Sequence, residues 1–135
     1  MRMAPEEEAI TQTFTNYIQT FQTLDPHATL AYFHVPCMFI PPQGVRVLAT
    51  AGDVEALLTQ VMKDLKARSY ARSELMGLHV KQMSENTALM SVSRVRYAID
   101  GRELEWFGET YTLRRTEGGW KIVVAMIHDP ETILR

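Results

Sequence analysis

The stretch GGWKIVVAMIHDP, Gly118 to Pro130, decides how the second half of the chain is read, because a β-branched apolar run closes on a histidine and an aspartate. Side chains alternate along a strand, so Trp120, Ile122, Val124 and Met126 share a face with His128, while Lys121, Val123, Ala125, Ile127 and Asp129 take the other. One face therefore passes from apolar to titratable along its length. A packed core at one end and a polar cavity at the other would produce that gradient.

The residues after Ser69 carry short, regularly spaced turn signals and read as a four-stranded antiparallel meander. YAIDGREL contains Asp100-Gly101, a pair that tolerates the positive φ of a tight hairpin turn. With that pair as the turn, Ile99 faces Arg102, and counting outward sets Arg96 opposite Glu105, Arg94 opposite Phe107, Val92 opposite Glu109 and Met90 opposite Tyr111. A four-residue loop over 116–119 pairs Leu113 with Ile122, Tyr111 with Val124, Glu109 with Met126 and Phe107 with His128. A three-residue loop over 84–86 adds Val80, Leu78, Met76 and Glu74 to the same face. That face is apolar at one end and carries Arg94, Arg96, Glu105, Phe107, Glu109 and His128 at the other. The opposite face holds Val95, Trp106, Thr110, Val123, Ala125 and Ile127, too apolar for water, and predicts a homodimer through the Trp106 side.

The first half is helical at both ends. Pro5 suits a first helical position with Glu6, Glu7 and Glu8 behind it, and Ile10, Phe14, Tyr17, Ile18 and Phe21 recur at three-four spacing to about Leu24. Asp25 and Pro26 restart a short second helix. CMFIPPQGVRVL reads as two short extended pieces around a turn. Thr50 and Asp53 form a cap signal for a long third helix ending near Ala67.

With 135 residues, 46% hydrophobic and 22% charged, the composition is that of one soluble domain spanning 1–135. A net charge of −2 without a basic stripe argues against nucleic acid. No apolar run approaches a membrane span, and the acidic start MRMAPEEEAI lacks the core of a signal peptide. The lone Cys37 excludes an internal disulfide and a multi-thiolate site, so a cytoplasmic location is expected, with Cys37 buried and inert. His27, His34, His79 and His128 lack metal-ligand spacing, the serines lack a nucleophile elbow, and no phosphate-binding loop is present. Neither a metal nor a cofactor is expected.

The order helix, short helix, short strands, long helix and meander resembles the nuclear transport factor 2-like superfamily, which includes SnoaL-like and ketosteroid-isomerase-like proteins. NYIQTFQTLDPHATLAYF is similar to that family's opening helices, and GGWKIVVAMIHDP to its closing strand. The resemblance implies a cone-shaped, cystatin-like α+β fold, three N-terminal helices on a curved antiparallel sheet, with a cavity on the concave side and commonly a dimer on the other. Tyr17 resembles the tyrosine that supports an oxyanion in the isomerase-like members, beside its plain reading as a core residue. The resemblance puts their second acid close to Glu109 or Thr110, and the pairing that turns Glu109 inward makes it the better candidate. Their general-base aspartate aligns near Pro41, where Cys37 to Gly44 contains no carboxylate, so ketosteroid-type proton abstraction lacks its base.

The principal expectation is a dimeric pocket protein. Tyr17, Phe21, Phe33, Phe39, Met62, Phe107 and Tyr111 would hold a small apolar or aromatic ligand, its polar group fixed by Arg94, Glu109 or His128. The alternative is an isomerase, dehydratase or hydrolase with Glu109 and His128 as acid and base; a non-catalytic assembly domain is the third. A charge ladder of Arg94, Arg96, Glu74 and Glu105 on a solvated rim is the plain reading of the outer rows.

Overall fold

A computed structural model describes residues 4–134. Helix α1 (Pro5–Gln22) opens on Pro5, whose missing N–H is no loss in a first turn, and Glu7 reaches back to the Ala4 N–H at 3.3 Å. Its buried stripe is Ile10, Phe14, Tyr17, Ile18 and Phe21, as its spacing predicts. Helix α2 (Pro26–Leu30) is capped by Asp25, which accepts from the Ala28 N–H at 3.1 Å. Strands β1 (Phe33–Ile40) and β2 (Arg46–Leu48) flank the 41–45 turn. The Thr50–Asp53 capping box starts α3 (Ala51–Ala67), which buries Val54, Leu58, Met62 and Leu65.

The meander follows as β3 (Tyr70–Gln82), β4 (Thr87–Ala98), β5 (Glu103–Thr116) and β6 (Gly119–His128). One six-stranded sheet results, in the order β2-β1-β6-β5-β4-β3, with β1 parallel to β6 and every other pair antiparallel. The helices and the sheet's inner face enclose one core that runs from Ile10 and Phe14 to Tyr111, Leu113, Trp120 and Ile122. Trp120 ties β6 to α1, donating from its indole N–H to Glu6 at 2.6 Å. Among the described residues no helix is long and apolar enough to cross a membrane.

Arg96–Glu105, Arg94–Phe107, Val92–Glu109 and Met90–Tyr111 face one another as the hairpin arithmetic predicts, although the turn itself differs. Only Gly101 takes a positive φ, and the Ala98 N–H donates to the Arg102 carbonyl, so three residues form the loop and Leu104 is the compensating bulge. Two departures of one residue cancel. On β3, Val80 and Leu78 pair as expected with Met90 and Val92, but a bulge at Met76 puts Leu75 opposite Arg94 and takes Met76 and Glu74 off the predicted face.

The decisive correction is on β6. Leu113 pairs with Ile122 as expected, yet Thr112 pairs with Val124, leaving Val123 as an extra residue. Beyond it every side chain changes face. Ala125 and Ile127, expected outside, turn inward, whereas Val124, Met126 and His128 turn outward. His128 therefore lies opposite Gly108, not Phe107.

Residues 129–134 then cross the outer face. The His128 Nδ1–H donates to the Asp129 carbonyl at 2.8 Å, so Nε2 accepts from the Thr110 hydroxyl at 2.7 Å. Thr110 bonds Ser91, which accepts from the Leu134 N–H at 3.1 Å. Gly108 makes room for this crossing: a Cβ there would stand 2.5 Å from the Asp129 carbonyl oxygen and 2.6 Å from the His128 ring. Gly108→Ala is therefore expected to cost about 1 to 3 kcal/mol through overpacking, measured by urea denaturation. A cost near zero would mean that this crossing does not hold in solution.

Candidate functional site

Between α1, α3 and the inner face lies a cavity of about 260 Å³. Its aromatic wall comes from α1 and β1. Tyr17 packs its ring against Phe21 and edge-on to Phe33, with centroids 6.1 and 5.8 Å apart. The opposite wall is the α3 stripe of Val54, Leu57, Leu58 and Val61, and Met38, Phe39, Ala125 and Ile127 close the sides. Cys37 lines it as well, buried, with its thiol pKa pushed up by desolvation.

The polar end belongs to β4 and β5. Arg94 and Glu109 stand diagonally across the two strands, 2% and 5% exposed, and Arg94 Nη2 donates to Glu109 Oε1 at 2.9 Å. The same oxygen accepts the Tyr111 hydroxyl at 2.5 Å. Burial works against the Arg94 charge, but Tyr111, Glu109 and Tyr17 around it more than offset this, and its pKa is raised. Burial also pushes the Tyr17 hydroxyl up to about 12, against the pull of Arg94. Nearer the opening, Arg96 donates to Glu105 at 2.7 Å, and Arg68 approaches the same carboxylate at 3.9 Å. Both inner guanidiniums stack on Phe107, at 4.9 Å for Arg94 and 4.7 Å for Arg96.

An adjoining groove of about 690 Å³ shares Phe39, Leu57, Val61, Arg96 and Glu105 with the cavity and forms its vestibule. Pro41 lines this groove, at the position where the resemblance places a base. Among the described residues, no group of three or more His, Cys, Asp or Glu side chains could hold a metal.

Of the predicted site residues, Tyr17, Phe21, Phe33, Phe39, Arg94, Phe107 and Glu109 line the cavity together. Tyr111 stands behind Glu109, buried, as its hydrogen-bond donor. Met62 is a core residue under α3, at 1% exposure, and does not reach the cavity. His128 is on the outer face, removed by the Val123 bulge, so Glu109 and His128 cannot share a proton across the site. Arg96 and Glu105, expected on a solvated ladder, are partly buried and line the cavity. The α3 wall was missed; its only sequence signal, a three-four apolar stripe, reads equally as core.

The profile of a family described as NTF2-like protein (DUF6841) matches residues 6–130. The chain belongs to this NTF2-like family. No functionally curated protein matches the sequence. Aln2 from a Streptomyces species is similar in structure, with a TM-score of 0.77 at 18% identity over 97% of this chain and 96% of that one. An NTF2-like protein with a cystatin-like fold from Novosphingobium aromaticivorans gives 0.74 at 20% identity, over 91% and 80%. A ketosteroid isomerase-like protein from Erwinia carotovora atroseptica gives 0.69 at 16%, over 93% and 97%. Identities this low establish the cystatin-like α+β fold and transfer no activity.

Removing one member of a buried ion pair leaves the other uncompensated. Arg94→Met is thus expected to destabilise the protein by about 3 to 5 kcal/mol, and Arg94→Met combined with Glu109→Leu to recover most of that loss in urea denaturation. Additive losses would show that the pair is not coupled.

Proposed function

We propose that this NTF2-like protein is a small-molecule binding protein whose cavity holds an apolar or aromatic ligand oriented by one polar group. The observation that carries this reading is the combination of a largely apolar cavity, open at its vestibule, with a single buried ion pair at one end, the pattern expected of a ligand pocket. Catalysis is the second reading, favoured by the inward Glu109 beside Tyr17, in an isomerase, dehydratase or hydrolase reaction. It is the weaker one: the proposed partner His128 is on the far face, and Glu109 is already engaged by Arg94 and Tyr111. A non-catalytic assembly role is the third and needs no ligand at all. A cytoplasmic location belongs to the same proposal, supported by the single, buried Cys37.

Self-association through the outer face is part of the reading. Residues 129–134 cover the Ser91 side, but Trp106 stays 46% exposed on one side of that crossing and Met126 39% on the other, apolar surface that a second copy would cover. Native mass spectrometry on freshly purified protein is expected to give a dimer, and Trp106→Lys a monomer; a wild-type monomer would sink the interface. For the pocket, saturation-transfer NMR with the neutral probe 2-naphthalenemethanol is expected to report binding that Val61→Trp abolishes by filling the neck. Absence of wild-type binding both to this probe and to its acid counterpart 2-naphthoic acid, or binding unchanged in Val61→Trp, would remove the pocket from consideration.

A further inference from the structure

The cavity's polar end has more hydrogen-bond donors than acceptors. Among the described residues, Nε and Nη1 of Arg94 and Nε of Arg96 are buried without a hydrogen-bond partner, and a guanidinium has only donors. The carboxylates present do not meet this need. Glu109 takes Arg94 through Nη2 alone and Tyr111 beside it, and Glu105 is shared between Arg96 and Arg68. The formal charges lining the cavity balance, Arg94 and Arg96 against Glu109 and Glu105, and Arg68 sits nearer Asp64, at 3.5 Å, than Glu105, so the surplus is one of donors and not of charge.

Resting on the pocket reading above, we propose that the ligand is a monocarboxylic acid with a small aromatic or branched aliphatic body, its carboxylate received by Arg94 and Arg96 beside Phe107. Water or an alcohol brings donor hydrogens of its own, a ketone offers one neutral acceptor atom, and a cationic ligand is repelled by both guanidiniums. A carboxylate supplies two acceptor oxygens and no donor, through charge-assisted bonds strengthened by exclusion of water. The three orphan donor atoms have less than 1 Å² of accessible surface each, so the guanidinium edges must turn toward the cavity as the carboxylate enters. Phe107 carries both, and Phe21 lies 5.3 Å from Arg96, so stacking covers guanidinium faces and leaves N–H edges for the ligand. The acid's body then lies against Tyr17, Phe33 and Phe39.

The test compares two probes of one shape on the wild-type protein, 2-naphthoic acid and 2-naphthalenemethanol, by isothermal titration calorimetry at neutral pH. The acid is expected to bind at least about tenfold more tightly, the advantage of a charged over a neutral hydrogen bond in a dry site. Glu105→Gln removes a competing carboxylate from a partly exposed position, and is expected to increase acid affinity severalfold while leaving the alcohol unchanged. Arg96→Gln is expected to reduce the acid's advantage selectively. Alcohol binding equal to or tighter than the acid's would overturn the carboxylate and leave the pocket standing. Binding of neither probe would overturn both. An acid preference that neither variant alters would place the anion elsewhere and defeat the assignment to these arginines.

Discussion

The buried ion pair between Arg94 and Glu109 constrains everything around it. A charge taken out of water is tolerated only where a partner and further hydrogen bonds replace its hydration. Those replacements come from the strand pairing itself. Glu109 faces Val92 across the β4–β5 ladder, and Arg94, two residues along, reaches it diagonally. Tyr111, next on the same face of β5, supplies the second bond, and Phe107 carries the guanidinium face. A slip of one residue in this hairpin would put Phe107, Glu109 and Tyr111 on the opposite face from Arg94 and break the pair. The pair is therefore a register device as well as a polar end to the cavity. Its own contribution to stability need not be large for it to distinguish the native pairing from its neighbours.

The bulges determine what else meets that pair. At Val123 the extra residue turns Ala125 and Ile127 toward the cavity and sends Met126 and His128 outside. At Met76 a second extra residue brings Leu75 opposite Arg94. Each bulge strengthens local twist, which bends the long strands around α1 and α3 instead of leaving a flat layer beneath them. The cavity persists because this bent sheet and α3 meet only along their edges. Trp120, Ile122 and Leu113 fill the tighter end, while the wider end has aromatic walls and no side chain long enough to cross it.

The sequence was legible wherever a periodicity or cap was local. Pro5, Asp25 with Pro26, and Thr50 with Asp53 mark helix starts within one residue because each supplies or relinquishes a specific backbone bond. The β4–β5 facing was legible too, though by two cancelling departures at Gly101 and Leu104. The β6 bulge was not. Nothing in KIVVAMIH distinguishes Val123 from its apolar neighbours, since the cause lies in how the strand must curve against β5 and accept β1 on its other edge. That hidden step sent His128 to the wrong face. The parallel β1–β6 contact was equally silent, because it joins segments far apart in the chain and shows no turn. For the site, the aromatic residues and Arg94 with Glu109 came through, whereas the α3 wall looked like ordinary core.

The same geometry bears on what such a pocket is suited to do. A proton-transferring carboxylate must exchange its proton with substrate and then be reset, so its environment has to tolerate both states. Glu109 is held by a buried guanidinium and a buried phenol on one oxygen, and neutralising it would strand Arg94 without its counter-ion. The outer-face histidine cannot relieve that cost, because Gly108 and Thr110 lie between it and the cavity side of β5. Two engaged carboxylates and unpartnered donors are what the proposed binding role asks for, and they supply no free base to move a proton. Donors of this kind favour holding a charge where it already exists. The missing carboxylate around Pro41 in the vestibule and the unpartnered edges of Arg94 and Arg96 at the cavity's polar end thus support the same proposed reading.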